Sequence, residues 1–373
     1  MRDLTFGVPG DIMPPADAML QRARKNEQDG WDAIWWPDHL MGWHATSIWT
    51  PDITPLAEVQ SSPHVWFDPL PVLGAAAAVT ERIQLGTCVT DPIRRPAPIL
   101  AQAFLTLDHL SKGRTIMGVG SGESLNLEPY GLPADKMVSR FEESMKVVRM
   151  FFETDEPITF DGEFTKIRDG LIGLRPYTPG GPPIWIAAHR PRMLRITGEY
   201  GDGWLPTKME PDEYAAGLQT IRDASEKVGR PRDHVVAGML SYVLCAETEA
   251  QLEELLEKPL IKGLCLLLPA EVFERFGHEP PFGKDSYGFH DFVPSRYPRE
   301  EALKVMSRVP PEVVRYYCLA GTPDMLLEQL LALRGAGLEH VVFWNITAFA
   351  DPKLAGFSFR TLKELRSQLL QRA

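Results

Sequence analysis

The sequence predicts a (β/α)8 barrel with insertions. Three observations carry this expectation. Eight short β-rich runs recur along the chain, and helical patterns separate nearly all of them. Repeated βα units imply parallel strands. The chain has 373 residues, whereas a bare barrel needs ~250, so more than a hundred remain for insertions.

The elements follow in order. Leu4-Thr5-Phe6-Gly7-Val8 reads as the first strand and residues 16–28 as a helix. Ala33-Ile34-Trp35-Trp36 is the second strand, and 69–80 an Ala-rich helix. Residues 83–89 form the third strand, followed by a helix over 97–110, and 115–120 form the fourth. The next helix places Phe141, Met145, Val148 and Phe152 on one face. Residues 184–188 are the fifth strand, with a helix at 191–200, and 203–206 the sixth. A helix begins at Pro211 and ends near Gly229, with Pro inside its start and Gly past its end. Residues 235–244 make the seventh strand. A Leu-rich helix opens at Thr322, 340–344 make the eighth strand, and a helix from about 352 to 371 closes the chain. One domain over 1–373 is expected, with insertions at about 40–66, 158–180 and 265–315; the second of these carries a hairpin signal at Phe160-Asp161-Gly162-Glu163-Phe164.

Composition narrows the function. Lys+Arg number 39 and Asp+Glu 50, a net charge of −11, which speaks against nucleic acid or anionic lipid as partner. The four cysteines, Cys88, Cys245, Cys265 and Cys318, show no CxxC spacing and read as free thiols of a reducing cytoplasm. No run approaches a membrane span, and no signal core follows the start. The histidines lack metal-ligand spacing, so no metal is expected.

In a barrel, chemistry sits just beyond the C-terminal ends of the strands. After the second strand, Asp38-His39 pairs a carboxylate with a general acid/base, and Trp43 adds a flat apolar wall. A capped loop with a hydrogen-bonded histidine is the competing reading. After the fourth strand, Gly118-x-Gly120-x-Gly122-Glu123 lets backbone N–H groups approach a ligand and brings a carboxylate to the mouth. It is neither a Rossmann fingerprint nor a Walker loop nor a nucleophile elbow. After the fifth strand, His189-Arg190-Pro191-Arg192-Met193 opens a helix, where N–H groups, dipole and guanidinium together suit a phosphate. Surface ion pairs are the bland alternative. Cys88 has no base beside it in sequence and reads as a buried structural thiol.

The ordered set resembles the bacterial luciferase-like family, in particular its deazaflavin-dependent branch, which uses coenzyme F420. The matching pieces are Asp38-His39 with Trp43, Leu85-Gly86-Thr87-Cys88-Val89, Gly118 to Glu123 with Asn126, Ile186-Ala187-Ala188, Gly201-Asp202-Gly203-Trp204 and Gly321-Thr322-Pro323-Asp324. Two subgroups compete. Asp38-His39 and Gly120-Ser121-Gly122-Glu123 look like the deazaflavin-dependent glucose-6-phosphate dehydrogenases. Ser62 to Pro69, Asn126 to Gly131 and Ala188 to Arg195 look more like the phthiodiolone ketoreductases.

The resemblance implies hydride transfer between the deazaflavin and an alcohol/ketone pair. His39 would exchange the proton on the substrate oxygen, Glu123 would serve the ring nitrogen, and Trp43 would pack on substrate or ring. Asp38, Ser121, Gly122, Asn126, His189, Arg190, Arg192 and Met193 match cofactor-binding positions. Cys88-Val89 matches a non-prolyl cis peptide behind the ring. Lys208 falls near a phosphate-binding lysine. A homodimer is implied too. An FMN-dependent monooxygenase and a non-catalytic flavin- or deazaflavin-binding protein are the alternatives. The substrate is either a sugar phosphate, which needs a basic pocket, or a lipid-like ketone, which needs an apolar groove; the aromatic 40–66 stretch favours the larger or more apolar one.

Overall fold

The computed structural model describes residues 2–372; Met1 and Ala373, the ends of the expected 1–373 unit, lie outside the described residues. The chain begins β1 (Thr5–Pro9), α1 (Ala16–Gln28), β2 (Ala33–Trp36), α2 (Pro69–Val79), β3 (Gln84–Thr87), α3 (Ala97–Ser111), β4 (Thr115–Val119), α4 (Ser124–Leu127) and α5 (Met137–Glu153). A hairpin of β5 (Ile158–Asp161) and β6 (Lys166–Gly170) follows, then β7 (Ile184–Ile186), α6 (Pro191–Tyr200), β8 (Gly203–Trp204), α7 (Pro211–Lys227) and β9 (Val236–Cys245).

Five helices come next: α8 (Glu249–Leu256), α9 (Pro259–Leu264), α10 (Ala270–Arg275), α11 (Arg299–Ser307) and α12 (Pro311–Tyr317). The chain then returns through β10 (Cys318–Gly321), α13 (Pro323–Gly335), β11 (His340–Asn345), α14 (Thr347–Ala350) and α15 (Ala355–Gln371).

Eight parallel strands close a ring in the order β1-β2-β3-β4-β7-β8-β9-β11, and β11 pairs back onto β1. These are the eight strands predicted from sequence. β10 was not among them. It pairs with the far half of β9, Cys318 opposite Tyr242, whereas β8 pairs with the near half at Val236 and Ala237. The ninth strand therefore extends the barrel wall upward at the rim.

Alternation along the strands sorts the core into two shells. On β2, Ile34 and Trp36 pack with the helices, while Ala33 and Trp35 belong to the interior cluster. On β11, Val341 and Phe343 face outward, and Val342 and Trp344 inward. The interior is filled by Trp35 and Trp185, with ring centroids 5.1 Å apart, and by His340, whose Nε2 accepts the Trp35 indole N–H at 3.0 Å. Glycines on neighbouring strands make the room: a Cβ on Gly7 or Gly86 would lie 2.7 or 2.5 Å from the Trp35 ring, and one on Gly238 2.7 Å from Trp185. The interior cluster continues upward into residues from α8 to α12, so these helices sit over the C-terminal end of the barrel.

Candidate active site

A cleft of about 830 Å3 opens at that end, lined by segments that leave β2, β3, β4, β7 and β8 and by the helical stretch between β9 and β10. The same stretch is tied to the glycine-rich turn, because Ser124 N–H donates to the Phe289 carbonyl at 3.0 Å.

Asp38 is buried beyond β2, and both its oxygens are occupied. Thr90 Oγ donates to Oδ2 at 2.6 Å, Arg94 Nη1 to Oδ1 at 3.0 Å, and Arg95 Nε to Oδ2 at 3.1 Å; Arg94 also donates to the Asp38 carbonyl at 2.8 Å. Burial by itself would raise the carboxyl, but the two guanidiniums and the hydroxyl outweigh it and hold it below the usual carboxylate range. Asp38 is thus an ionised anchor that fixes the turn carrying His39. Arg94 and Arg95 were not singled out from sequence. They stand between Pro92 and Pro96, just past a strand end, and the positional rule used elsewhere could have found them.

His39 and Glu123 meet through one amide. Asn126, on α4, donates from Nδ2 to His39 Nδ1 at 2.8 Å and to Glu123 Oε2 at 3.3 Å, and His39 Nδ1 lies 3.7 Å from the same Oε2. Burial, reinforced by Arg94, pushes His39 down to about 3, so its ring is neutral. Burial raises Glu123 to about 7; Asp91 and Asp38 add to this, while Arg94 and the Asn126 hydrogen bond oppose it. A quarter of the Glu123 side chain still reaches the cleft. One group is therefore kept neutral and the other exchanges a proton near pH 7, the pattern expected of acid/base machinery.

Aromatic rings enclose His39. Trp43 stands edge-on at 4.8 Å and Trp66 at 4.9 Å between centroids. Trp43 also meets Tyr242 and Trp344 edge-on. Its indole Nε1 is buried and has no partner among the described residues, although the ring lines the cleft. Trp66 and Tyr242 complete this wall. Trp66 is visible in sequence only as one of a crowd of tryptophans, and Tyr242 as one residue of a strand.

The floor is formed by Cys88 and Val89, joined by a cis peptide, with Ala187 and Ala188 beside them. Burial pushes the Cys88 thiol far up, so it is inert as a nucleophile at neutral pH. In the glycine-rich turn, Gly120 N–H is already taken by the Thr90 carbonyl at 2.9 Å, so the N–H groups open to a ligand begin at Ser121. Gly122 has φ +99, a conformation L side chains rarely adopt, which accounts for glycine there.

At the opposite wall, His189 Nε2 accepts from Thr207 N–H at 3.2 Å, and Met193 is buried against the cleft. Arg190 pairs with Glu271 on α10. Arg192 donates to Glu142 Oε2 at 2.8 Å and to Ser139 Oγ at 3.0 Å. The two guanidiniums pictured from sequence as free for a phosphate both have protein partners. Both are about half exposed, and such pairs contribute ~0–1 kcal/mol, so an anion can displace them. Lys208 differs. It is buried, and its Nζ donates to Glu210 Oε1 at 2.6 Å and to the Arg315 carbonyl at 3.1 Å.

A parallel barrel with a buried neutral imidazole, a carboxyl near neutrality and an aromatic wall at its C-terminal mouth has the layout in which this fold places its sites. The chain belongs to the luciferase-like monooxygenase family, whose model matches residues 4–340. It is 34% identical over 321 residues to a phthiodiolone/phenolphthiodiolone dimycocerosates ketoreductase of Mycobacterium tuberculosis, covering 85% of this chain and 84% of that one. It is 39% identical over 347 residues to an F420-dependent glucose-6-phosphate dehydrogenase of Beutenbergia cavernae, covering 92% and 91%. Among solved structures, an F420-dependent secondary alcohol dehydrogenase in complex with an F420-acetone adduct aligns with a TM-score of 0.74 over 97% of this chain and 98% of that one, at 19% identity, a likeness of fold.

Proposed function

We propose that the protein is an oxidoreductase that uses coenzyme F420 to interconvert an alcohol and a ketone. The observation that carries this reading is the His39–Asn126–Glu123 cluster, a neutral imidazole and a carboxyl near neutrality joined by one amide at the mouth of the barrel. The names of the two curated relatives support it.

The residues fit a flat, anionic deazaflavin. The cleft has the volume for it, Val89, Ala187 and Ala188 offer a smooth floor, and the ring of Trp43, whose buried indole N–H has no partner among the described residues, lines the same space. Ser121 and Gly122 would meet the ring, with Met193 and His189 beside it. Arg190 and Arg192 would exchange their carboxylates for the cofactor's negative charge. A bound deazaflavin supplies a hydride carrier that favours two-electron transfer.

The chain's own residues do the rest. His39 faces the substrate oxygen and compensates the charge that develops there. Glu123, with its carboxyl near neutrality, holds or releases the proton that accompanies the hydride. The buried aromatic wall excludes water and strengthens both interactions.

For the substrate, an uncharged carbonyl or alcohol with an apolar body fits best. Lys208 is buried and its Nζ is already taken by Glu210, and Glu213 and Glu271 add carboxylates to the same wall, so this lysine is not free to meet a substrate phosphate. Trp43, Tyr242, Leu268, Val272 and Phe289 present apolar surface instead. The four free buried thiols fit a reducing cytoplasm, and the family resemblance carries the homodimer and the single barrel domain. The test is deazaflavin absorbance followed across a panel of long-chain ketones, secondary alcohols and sugar phosphates. Turnover of apolar ketones above sugar phosphates supports the reading; turnover of sugar phosphates alone refutes the substrate class.

A further inference from the structure

Asn126 has an amide with no capacity left over. It is 2% exposed. Its Oδ1 accepts the Leu40 N–H at 2.8 Å and the Met41 N–H at 3.2 Å. Its Nδ2 gives one bond to His39 Nδ1 and one to Glu123 Oε2. Two acceptances and two donations exhaust a side-chain amide.

The orientation of that amide follows from chemistry. Backbone N–H groups only donate, so the group facing Leu40 and Met41 must be the oxygen. The reverse placement would set two donors against two donors in a buried site. The NH2 therefore faces His39, and since an NH2 does not accept, His39 Nδ1 must present a lone pair. A neutral imidazole with a bare Nδ1 carries its proton on Nε2.

We propose that Asn126 is a positioning residue that holds His39 as the neutral Nε2–H tautomer, so that His39 meets the substrate oxygen as a hydrogen-bond donor. Its saturated amide acts through His39 and Glu123 and does not grip the cofactor. The consequence for catalysis rests on the oxidoreductase reading above. A donor at that position binds the carbonyl form and stabilises the negative charge that grows on its oxygen as hydride arrives at carbon; the oxygen then takes up the Nε2 proton, which solvent restores to the ring. The site is thereby arranged for the carbonyl as the incoming substrate.

The tautomer is measured directly on ligand-free protein labelled with 15N-histidine. Long-range 1H–15N correlations at pH 7 identify His39 as the pattern missing in His39→Gln. A bare Nδ1 and a protonated Nε2 are expected; a protonated Nδ1 overturns the proposal. In Asn126→Asp, one carboxylate oxygen still accepts from Leu40 and Met41, while the other demands a proton from Nδ1. His39 should switch to Nδ1–H or become charged, and kcat should fall by about 100-fold or more, with the Kd for oxidised deazaflavin unchanged. An unaltered tautomer and rate, or a Kd that weakens in step with kcat, overturns it. If that variant does not fold, the wild-type spectrum decides alone. The spectrum needs no cofactor, so a protein that turns over no deazaflavin refutes the oxidoreductase reading while the tautomer result stands separately.

Discussion

At the scale of single residues, the site works by setting two pKa values apart. Glu123 has a folded pKa near 7 against 4.5 when exposed, and His39 has one near 3 against 6.5. For Glu123, the fold keeps a proton that the unfolded chain has already lost. Its contribution to stability is therefore lost as pH rises from about 4.5 to 7, by roughly 3 kcal/mol at ~1.4 kcal/mol per unit. Glu123→Gln should stabilise the protein against urea above pH 7 and, in the same protein, remove the limb near pH 7 from the kcat profile. A variant that keeps the limb would show that another group titrates there. His39→Ala should lower kcat by roughly 10²–10⁴-fold in a steady-state deazaflavin assay, the usual worth of a positioned acid/base group; an unchanged kcat would remove His39 from the mechanism. Much at this scale was legible. His39, Glu123 and Trp43 lie beyond strand ends, where position alone points to chemistry, whereas Cys88 and Val89 of the floor were marked by resemblance, position having given Cys88 only as a structural thiol. Asn126 was marked only by resemblance, and its hydrogen bonds to Leu40, Met41 and His39 cross 85 to 87 residues of chain, a distance no local pattern encodes.

At the scale of elements, the turns after β2 and β3 are locked together by charge. Asp38 is 4% exposed, and Arg94 and Arg95 neutralise it across more than fifty residues. Removing one partner of a buried pair leaves an uncompensated charge and typically costs ~3–5 kcal/mol. Arg94→Leu should lower the urea midpoint accordingly and weaken turnover by loosening His39; a loss below about 1 kcal/mol would mean that Arg95 and Thr90 suffice. Between β3 and β4 the constraint is steric. A Cβ on Gly118 would fall 1.7 Å from the Thr87 carbonyl, so Gly118→Ala must push the two strands apart and should abolish soluble expression or the cooperative melt. The eight ring strands could be read from sequence because each is a compact apolar or β-branched run between helical patterns. β10 could not. Its four residues, Cys318-Leu319-Ala320-Gly321, follow α12 without a turn signal, and their pairing partner lies more than seventy residues back on β9. The stretch marked at 265–315 by its Pro, Gly and aromatic content carries α10, α11 and the start of α12 around a non-helical run over 276–293, and prolines and glycines flank these short helices and mask their period.

At the scale of the whole molecule, buried histidines decide the response to acid. His39, His44 and His340 are neutral in the fold, with pKa values of about 3, 4 and 3, each lowered first by burial. An unfolded chain protonates them near 6.5, so their contribution is complete above that pH and declines as pH falls toward 3–4. Between pH 7 and 5 each of the three histidines costs about 2 kcal/mol, whereas Glu123 returns about 2 kcal/mol over the same interval. The histidines win, and the urea midpoint should drop from pH 7 to pH 5. A flat profile would mean that the buried rings take up protons without unfolding. The net charge of −11 coexists with a local cationic rim at Arg190 and Arg192, whose carboxylate partners an anionic cofactor can replace.

Cofactor choice tests the central reading most directly. Purified protein is titrated in parallel with coenzyme F420 and with FMN, and the loaded protein is then mixed with an apolar ketone or with oxygen. Saturable binding of F420, with oxidation of its reduced form by the ketone and no oxygen uptake, is the predicted result. Tight FMN binding with oxygen consumption that depends on reduced flavin would contradict it and make the protein a monooxygenase.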